Sequence, residues 1–298
     1  MDVVNRIDWR RGMPIGAKVF IDADNYHIFT NKIARHLAAP MAYGLVPESQ
    51  WVLETTISQD QLSIDKVAMV FIDKAGRIMQ LDKGGEVSLR GLPQGVFYLA
   101  VSLVEEKHKE TNGVPYLDQI FKYQVINLLE PENEVLFPVL KIQHEHDGWK
   151  VCDFIPPCCC VCSHPTLLIL AKQCQQIVQQ MLKVAEEKGM QQVEYEIGSL
   201  CIEWANSIAT ETAVEFIAQL KKIIFLMKPH PLFEQKDAVS EERIKSFIWN
   251  AYNPNMLLET IQEALSILTA VVDSMKVEPP KPAPVQENKV EEEEYYIL

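Results

Sequence analysis

The sequence predicts an α+β fold in which a β-sandwich-like N-terminal domain is followed by an α-helical bundle. Two observations carry this prediction. Short apolar runs separated by turn residues recur along the first half of the chain, a spacing typical of antiparallel strands. Beyond Pro156-Pro157 the apolar residues instead recur every three or four positions, which is the period of a helix. The 298 residues suffice for one large domain or two ordinary ones.

The strands are best defined around the run 67–72, where apolar, β-branched and aromatic residues follow one another. Such a run predicts a strand covered on both faces. Residues 73–76 supply a turn, and a second strand is predicted at 77–81. Further strands are predicted at 96–101, 139–142 and 149–151, with a hairpin turn at Asp147-Gly148 between the last two.

One helix is predicted before these strands, over residues 24–37. Four apolar side chains of this segment share a helical face: Tyr26, Phe29, Ile33 and Leu37. A shared apolar face of this kind is typical of a helix.

Three longer helices are predicted after Pro165. The first carries a heptad stripe with 3-4-3-4-3 spacing, formed by Leu167, Leu170, Cys174, Ile177, Met181 and Val184. The second carries Ala213, Phe216, Leu220, Ile223 and Met227 and ends before Pro229. The third opens at Pro254 and carries Leu258, Ile261, Leu265, Leu268, Val272 and Met275. Such stripes must be buried, either within one chain or against copies in an oligomer.

Composition limits the classes of partner. With 41 acidic and 28 basic side chains, the net charge is −13. We therefore expect no nucleic acid partner, because a phosphate-binding face needs clustered Lys and Arg. No stretch approaches the roughly 18 to 20 apolar residues of a membrane-spanning helix, and the first residues lack the apolar core of a signal peptide. Together these features predict a cytoplasmic protein.

Two groups of residues could carry metal chemistry. Cys158, Cys159, Cys160 and Cys162 are spaced too closely for a usual zinc site; in a strand, Cys159 would face away from the other three. His144 and His146 would share a strand face but run directly into the predicted hairpin turn. Seven cysteines with this clustering are a poor disulfide framework and suggest a reducing compartment.

No motif for catalysis or phosphate binding occurs, since GxGxxG, P-loop, GxSxG and HExxH patterns are all absent from the sequence. We therefore predict no catalytic residue, no metal ligand and no cofactor, and expect that the protein is not an enzyme. A metal-dependent enzyme that uses the cysteine run or the two histidines stays open as an alternative.

The last 22 residues, 277–298, differ from the rest of the chain. They contain four prolines, six glutamates and two lysines, which predicts an extended, acidic and flexible tail. The tail ends in Tyr295, Tyr296, Ile297 and Leu298. Two interpretations stay open, a docking peptide and a solubilising tail.

Several short motifs occur in an order that resembles a known family. They are Trp9-Arg10-Arg11-Gly12-Met13-Pro14-Ile15, Tyr43-Gly44-Leu45, the stretch Leu92–Ala100, and Phe154-Ile155-Pro156-Pro157 before His164-Pro165. Over residues 7 to about 190, this order resembles the type VI secretion baseplate protein family TssK. The resemblance is to a divergent, shortened member that lacks the C-terminal head domain. Family members usually open with a proline-glutamine-histidine-phenylalanine stretch. The corresponding segment here, Gly16–Phe20, keeps only the phenylalanine.

The resemblance implies a structural baseplate protein. It implies a homotrimeric adaptor that links wedge proteins TssF and TssG of the contractile tail to a membrane anchor. It also implies the division into a β-rich shell domain 1–160, a helical trimerisation region 161–276 and the tail 277–298. A phage-like tail or receptor-binding protein, which shares a β shoulder and a trimeric neck, stays open as an alternative.

The same resemblance implies site residues. The implied wedge contacts are Trp9, Gly12, Met13, Phe20, Leu92, Pro93 and Tyr98. The implied trimer contacts are Leu167, Leu170, Ile177, Met181, Leu258, Ile261, Leu265 and Leu268. By position and composition, the tail tip 295–298 is the candidate for the anchor contact.

Overall fold

The computed structural model describes residues 6–9, 16–36, 43–47, 51–74, 76–111, 114–127, 136–227 and 240–276, without the side chains of 31–36 and 111. The strands in these ranges are β1 Gly44–Leu45, β2 Val52–Ser58, β3 Gln61–Ile72, β4 Ile78–Leu81, β5 Gly85–Ser88, β6 Gly95–Thr111, β7 Val114–Ile126, β8 Phe137–Glu145 and β9 Gly148–Cys152. The helices are α1 Ala17–His36, α2 Pro165–Glu187, α3 Gln191–Ser207, α4 Ala213–Met227, α5 Glu241–Trp249 and α6 Leu257–Lys276. Antiparallel sheets followed by helices confirm the predicted α+β class.

The first sheet is organised around β3. This twelve-residue strand pairs antiparallel with β1, β2, β4 and β5. Its second half, which contains the predicted strand 67–72, is the more buried half. Asp73 closes the predicted turn, because Gly76 N–H donates to its carbonyl and Gly76 adopts a positive φ of 77°.

The second sheet has the order β7-β6-β8-β9. The predicted strand 96–101 is only the start of β6, which extends 17 residues and pairs with β7 along a long hairpin. The predicted turn at Asp147-Gly148 is confirmed, since β8 ends at Glu145, β9 begins at Gly148 and Gly148 has a φ of 120°.

Aromatic packing joins the two sheets. The ring of Phe71 on β3 stacks on that of Phe137 on β8, with centroids 4.1 Å apart, and tilts against Phe121 on β7 at 6.4 Å. Phe71 and Phe137 are almost fully buried, so the sheets enclose an apolar layer as in a sandwich.

A side-chain amide covers the outer edge of β4. Gln80 N–H donates to Gln119 Oε1 at 3.0 Å, and Gln119 Nε2 donates to the Ile78 carbonyl at 3.2 Å. The other edge of β4 pairs with β3. One glutamine therefore binds the same two types of backbone group that a neighbouring strand would bind.

The three predicted long helices are confirmed as α2, α4 and α6, but the buried stripe of α2 differs from the prediction. Its fully buried residues include Leu167, Ala171, Cys174, Val178, Met181 and Ala185. Leu170 and Ile177, which the heptad pattern assigned to the stripe, are only partly buried. Ala171 and Ala185 show that small side chains also take part in the buried stripe.

Helix α6 forms the centre of the helical region, where it contacts α2, α4 and α5. By length and composition, Pro254–Lys276 could cross a membrane, with a mean hydropathy of 1.2, but half of this stretch (50%) is buried inside the protein. A single stretch of this kind is weak evidence for a membrane span, and its packing is that of a core helix. The sequence analysis predicted a helix here but did not identify it as long and apolar enough to cross a membrane.

The predicted trimer residues pack within one chain. Leu167, Met181, Leu258, Ile261 and Leu268 are buried, and Leu170, Ile177 and Leu265 are partly buried. The heptad stripes are therefore satisfied by intrachain packing of α2, α4, α5 and α6. The five buried side chains are used inside the chain, and the trimer contacts of the three partly buried ones stay a prediction.

Some elements differ from the sequence prediction. Helix α1 begins at Ala17 instead of residue 24, while α3 and α5 were not predicted. Cysteines 158–162 are not in a strand: 158–160 form irregular structure with isolated bridges, and Val161–Ser163 is a 3₁₀ turn.

A short connector, residues 153–164, joins the sheets to the helices. On one side it lies against β1, because Leu45 N–H donates to the Pro157 carbonyl at 2.7 Å and Cys159 N–H donates to the Leu45 carbonyl at 2.9 Å. Gly44 has a φ of 133°, and a Cβ there would lie 2.5 Å from the carbonyl carbon of Pro157. Only glycine allows the backbone to approach this closely.

On its other side the connector binds the turn between α3 and α4. Val161 N–H donates to the Glu211 carbonyl, and Cys162 N–H donates to the Ala209 carbonyl, both at 2.9 Å. The apolar core is continuous from the sheets through the connector to the helices. The division of the chain at residue 160 therefore stays a prediction.

His164 ends the connector and caps α2. Its Nδ1 accepts from Thr166 N–H at 3.2 Å, and its ring packs on Trp51 with centroids 4.9 Å apart. Burial lowers the pKa of His164 to about 4, because a charged imidazole is unfavourable in an apolar environment. Protonation of Nδ1 would also remove the acceptor that caps the helix.

We expect Ala171→Leu to lower the free energy of unfolding by about 1–3 kcal/mol, because extra methylene groups overpack a fully buried position on α2. The measurement is urea denaturation at one fixed protein concentration. As a control, Lys172→Leu introduces the same side chain at an exposed neighbour and should change stability by less than about 0.5 kcal/mol. Equal effects of the two variants would contradict the burial of Ala171.

We expect the free energy of unfolding to fall as the pH drops from about 6.5 to about 4, in part because of His164. In this window the unfolded chain binds a proton at His164 that the folded chain does not bind. His164→Asn keeps a capping residue but removes this titration, so its stability should fall less steeply. The control His27→Asn replaces an exposed histidine, and its stability should change with pH as that of the wild type does. If the stability of His164→Asn also fell as steeply as that of the wild type, His164 would not be buried in its neutral form.

Candidate assembly surfaces

The N-terminal segment 6–9 is held against the tip of the β6–β7 hairpin. Asp8 N–H donates to the Pro115 carbonyl and Leu117 N–H donates to the Arg6 carbonyl, both at 3.1 Å. Ile7 is buried together with Val19, Val114 and Tyr116 in a small apolar cluster. The segment therefore extends the sheet as a short additional edge.

Helix α1 is attached to this cluster through its first turns. Val19 packs into it, and Tyr116 Oη donates to Asp22 Oδ2 at 2.7 Å. Burial, and then the Asp22 carboxylate, raise the pKa of Tyr116 to about 12. The Asp8 carboxylate also lies 2.6 Å from His108 Nδ1 on β6.

Trp9 and Phe20 are exposed beside this anchored cluster. The exposed fraction is 54% for Trp9 and 60% for Phe20, and Ile21 is similarly exposed. We name these three side chains the N-terminal surface. Two further predicted wedge contacts, Gly12 and Met13, lie outside the described residues. Large apolar side chains held on a rigid base, with their outer faces in solvent, are typical of protein-binding surfaces.

The predicted wedge contacts at 92–98 lie at the opposite end of β6. Pro93 is exposed and Leu92 is partly buried. Lys109 on β6 pairs with Tyr116 of the small apolar cluster and so marks the cluster's position along the strand. At about 3.3 Å per residue, Tyr98 lies roughly 35 Å from Lys109 along β6. Trp9 and Phe20 each lie close in sequence to a member of the small apolar cluster, Ile7 and Val19, whereas the 92–98 segment lies at the other end of β6.

Tyr98 is largely a packing residue. Its ring meets that of Phe154 edge-on at 5.6 Å, and burial raises its pKa. Beside it, Lys141 Nζ on β8 donates to Glu259 Oε1 on α6 at 2.8 Å. This group of side chains joins the second sheet to the helical region.

The two histidines considered for metal binding have other partners. His144 stacks on Trp149 with centroids 4.3 Å apart, and its Nδ1 lies 3.0 Å from the Pro93 carbonyl. His146 Nδ1 lies 3.0 Å from Gln94 Nε2. Across the described ranges, no group of three or more His, Cys, Asp or Glu side chains could hold a metal ion.

The helical region exposes several large apolar side chains. Tyr195 and Ile202 lie seven positions apart on α3, opposite the buried stripe of Ile197, Cys201 and Trp204, and they are 79% and 69% exposed. Further exposed apolar residues on the helices are Ile169, Phe225, Trp249 and Met256. The sequence analysis missed all of these, because an exposed apolar side chain has no distinct sequence signal. The predicted docking residues Tyr295, Tyr296, Ile297 and Leu298 lie outside the described part of the chain.

Several solved structures of the type VI secretion protein TssK have a fold similar to that of this chain. A crystal structure of TssK matches with a TM-score of 0.51 and 11% identity, over 90% of this chain and 70% of that one. TssK from the EAEC type VI secretion system, bound to nanobody nb18, matches with a TM-score of 0.55 and 14% identity, over 83% and 66% of the two chains. The chain has a TssK-like fold.

A third match comes from an assembly of several proteins. It is a chain in the cryo-electron microscopy structure of the type VI secretion TssK-TssF-TssG baseplate subcomplex. Its TM-score is 0.54 at 13% identity, over 91% of this chain and all of the other. No protein-family model and no curated protein matches this sequence. At these identities the likeness to TssK is one of fold.

Proposed function

We propose that the chain is a structural baseplate component of a type VI secretion system, which acts as a trimeric adaptor between the baseplate wedges and the membrane anchor. The observation that carries this proposal is the TssK-like fold over about nine-tenths of the chain. One matched structure is a TssK-TssF-TssG subcomplex, so TssF and TssG are the proposed wedge partners. The proposed role is structural rather than enzymatic, and the proposed location is the cytoplasm.

The N-terminal surface is the proposed wedge contact. Trp9 and Phe20 are large, apolar and more than half exposed, and the backbone beside them is anchored through Ile7 and Val19 in the small apolar cluster. Aromatic side chains on a rigid base lose little conformational entropy on binding, which favours them as binding anchors. The exposed residues at 92–94 lie too far from Trp9 to belong to the same small contact and form a separate candidate.

The proposed trimer contacts are the exposed apolar side chains of the helices instead of the fully buried residues of the heptad stripes. The stripes are used for packing inside the chain, whereas Tyr195 and Ile202 form an exposed apolar strip on α3. Burial of such side chains against a second copy is favourable by roughly 1.5–3 kcal/mol each. The acidic tail 277–298 is the proposed anchor contact, on the basis of its composition alone.

We expect the wild-type chain to co-purify with the TssF and TssG proteins encoded in the same genome. The double substitution Trp9→Ala with Phe20→Ala should lower recovery of the complex at least tenfold, because it removes two exposed aromatic anchors. Val151→Ala is the matched control, since Val151 is 51% exposed but lies on β9. If the wild-type chain does not bind either wedge protein, the proposed function is wrong.

We expect light scattering on the size-exclusion peak of the reduced protein to give three times 34.0 kDa, unchanged on dilution. Ile202→Glu should shift this mass toward the monomer, because a charge in an apolar interface must be desolvated. Val151→Glu places the same charge at an exposed valine on the sandwich and should leave the mass unchanged. A wild-type monomer would contradict the trimer, and a trimer insensitive to Ile202→Glu would exclude α3 from its interface.

A further inference from the structure

Within the connector, two cysteine side chains approach each other. Cys160 Sγ and Cys162 Sγ lie 3.3 Å apart, on either side of Val161 at the start of the 3₁₀ turn. A disulfide bond needs a separation of about 2.05 Å, so the two sulfur atoms have to move together by roughly 1.2 Å. Both thiols are reduced in this structure, and neither belongs to the assembly surfaces described above.

The two thiols differ in exposure. Cys160 is only 2% exposed, whereas Cys162 is partly exposed. A reagent dissolved in water can therefore reach Cys162 but not the buried sulfur behind it. This arrangement provides one accessible thiol and one internal thiol within reach of it.

Hydrogen bonds favour a thiolate at the internal position. Hydrogen bonds from Cys162 and from Ser163 hold the pKa of the Cys160 thiol below its usual range, although burial acts in the opposite direction. Ser163 Oγ lies 3.2 Å from Cys160 Sγ. A thiolate is the reactive form in exchange with disulfides, and the Ser163 donors still favour it at Cys160 once Cys162 is held in a mixed disulfide.

The other buried cysteines of this region lack these features. Burial raises the pKa of Cys159 and Cys174 to about 12 and raises that of Cys158 well above its usual range. The Cys158 thiol donates to the Pro156 carbonyl, and the Cys159 thiol donates to the Gly44 carbonyl. These thiols remain protonated and behave as small core side chains.

We propose that Cys160 and Cys162 form a reversible dithiol–disulfide site, which reacts with low-molecular-weight disulfides of the glutathione class. Cys162 attacks one sulfur of the reagent, forms a mixed disulfide and releases the first glutathione thiol. Cys160 then attacks the Cys162 sulfur, which breaks the mixed disulfide and releases the second. Overall the protein loses two electrons and two protons, and one oxidised glutathione becomes two reduced molecules.

The position of the pair couples its oxidation to the junction between sheets and helices. The backbones of Cys160 and Thr212 pair in an isolated antiparallel β-bridge, and Cys162 N–H donates to the Ala209 carbonyl. A disulfide across Val161 therefore adds a covalent constraint at the turn that holds α3 and α4 to the connector. In a reducing compartment such a bond is transient, as is typical of redox-responsive dithiols.

The test is to incubate the full-length reduced chain with oxidised glutathione and to map the products by mass spectrometry after alkylation. In the wild type, Cys160 and Cys162 should together lose two hydrogen atoms and resist alkylation, and reduced glutathione should reverse both changes. Cys160→Ser should accumulate a stable glutathione adduct on Cys162, whereas Cys162→Ser should take up no glutathione on Cys160. Cys152→Ser, which removes another partly exposed thiol, should oxidise like the wild type.

A second measurement needs no substitution. Under native conditions, alkylation of the wild-type chain should modify Cys162 at least tenfold faster than Cys158 or Cys159. A stable glutathione adduct on Cys162 of the wild type, without loss of two hydrogen atoms, would overturn the proposal. A disulfide that maps to Cys158 or Cys159, or equal alkylation rates, would overturn it as well.

Discussion

The close approach of the connector to Gly44 is the contact on which the rest of the structure depends. At this point the connector passes from the sheets to the helices, and β1 and the turn between α3 and α4 bind it from opposite sides. Because a Cβ at Gly44 would lie 2.5 Å from the Pro157 carbonyl carbon, the two backbones touch directly. Pro156 and Pro157 stiffen the chain at the same point. The apolar core can therefore continue from the sandwich to the helices without a flexible linker.

Most of the elements that have a regular apolar pattern could be predicted from the sequence. The errors of the prediction have physical causes. The stripes of α2, α4 and α6 have the helical period, so these helices were predicted. The register on α2 was wrong because the pattern counts large residues, whereas the buried face uses Ala171 and Ala185. Helix α3 was missed because Tyr195 and Ile202 place apolar side chains on its outer face and blur its period. The outer half of β6 carries consecutive charged residues that follow no strand pattern.

The candidate site was predictable only in part. Short motifs correctly indicated the fold, and two of them, Tyr43-Gly44-Leu45 and Phe154-Ile155-Pro156-Pro157, meet in space at the connector. Sequence order could not show that Trp9 and the 92–98 segment lie at opposite ends of one strand. Nor could it distinguish apolar side chains used inside the chain from those left exposed. The distinction matters for assembly, because only exposed side chains gain free energy from contact with a partner.

The glutamine amide at the edge of β4 has a consequence for solubility. A free strand edge can pair with the edge of any other chain, which is a route to aggregation. Gln119 satisfies both the Gln80 N–H and the Ile78 carbonyl, so a foreign strand would first have to displace it. Proteins that gather in many copies in one assembly experience high local concentrations, where unwanted edge pairing is fastest. A single side chain thus opposes strand pairing between copies at this edge.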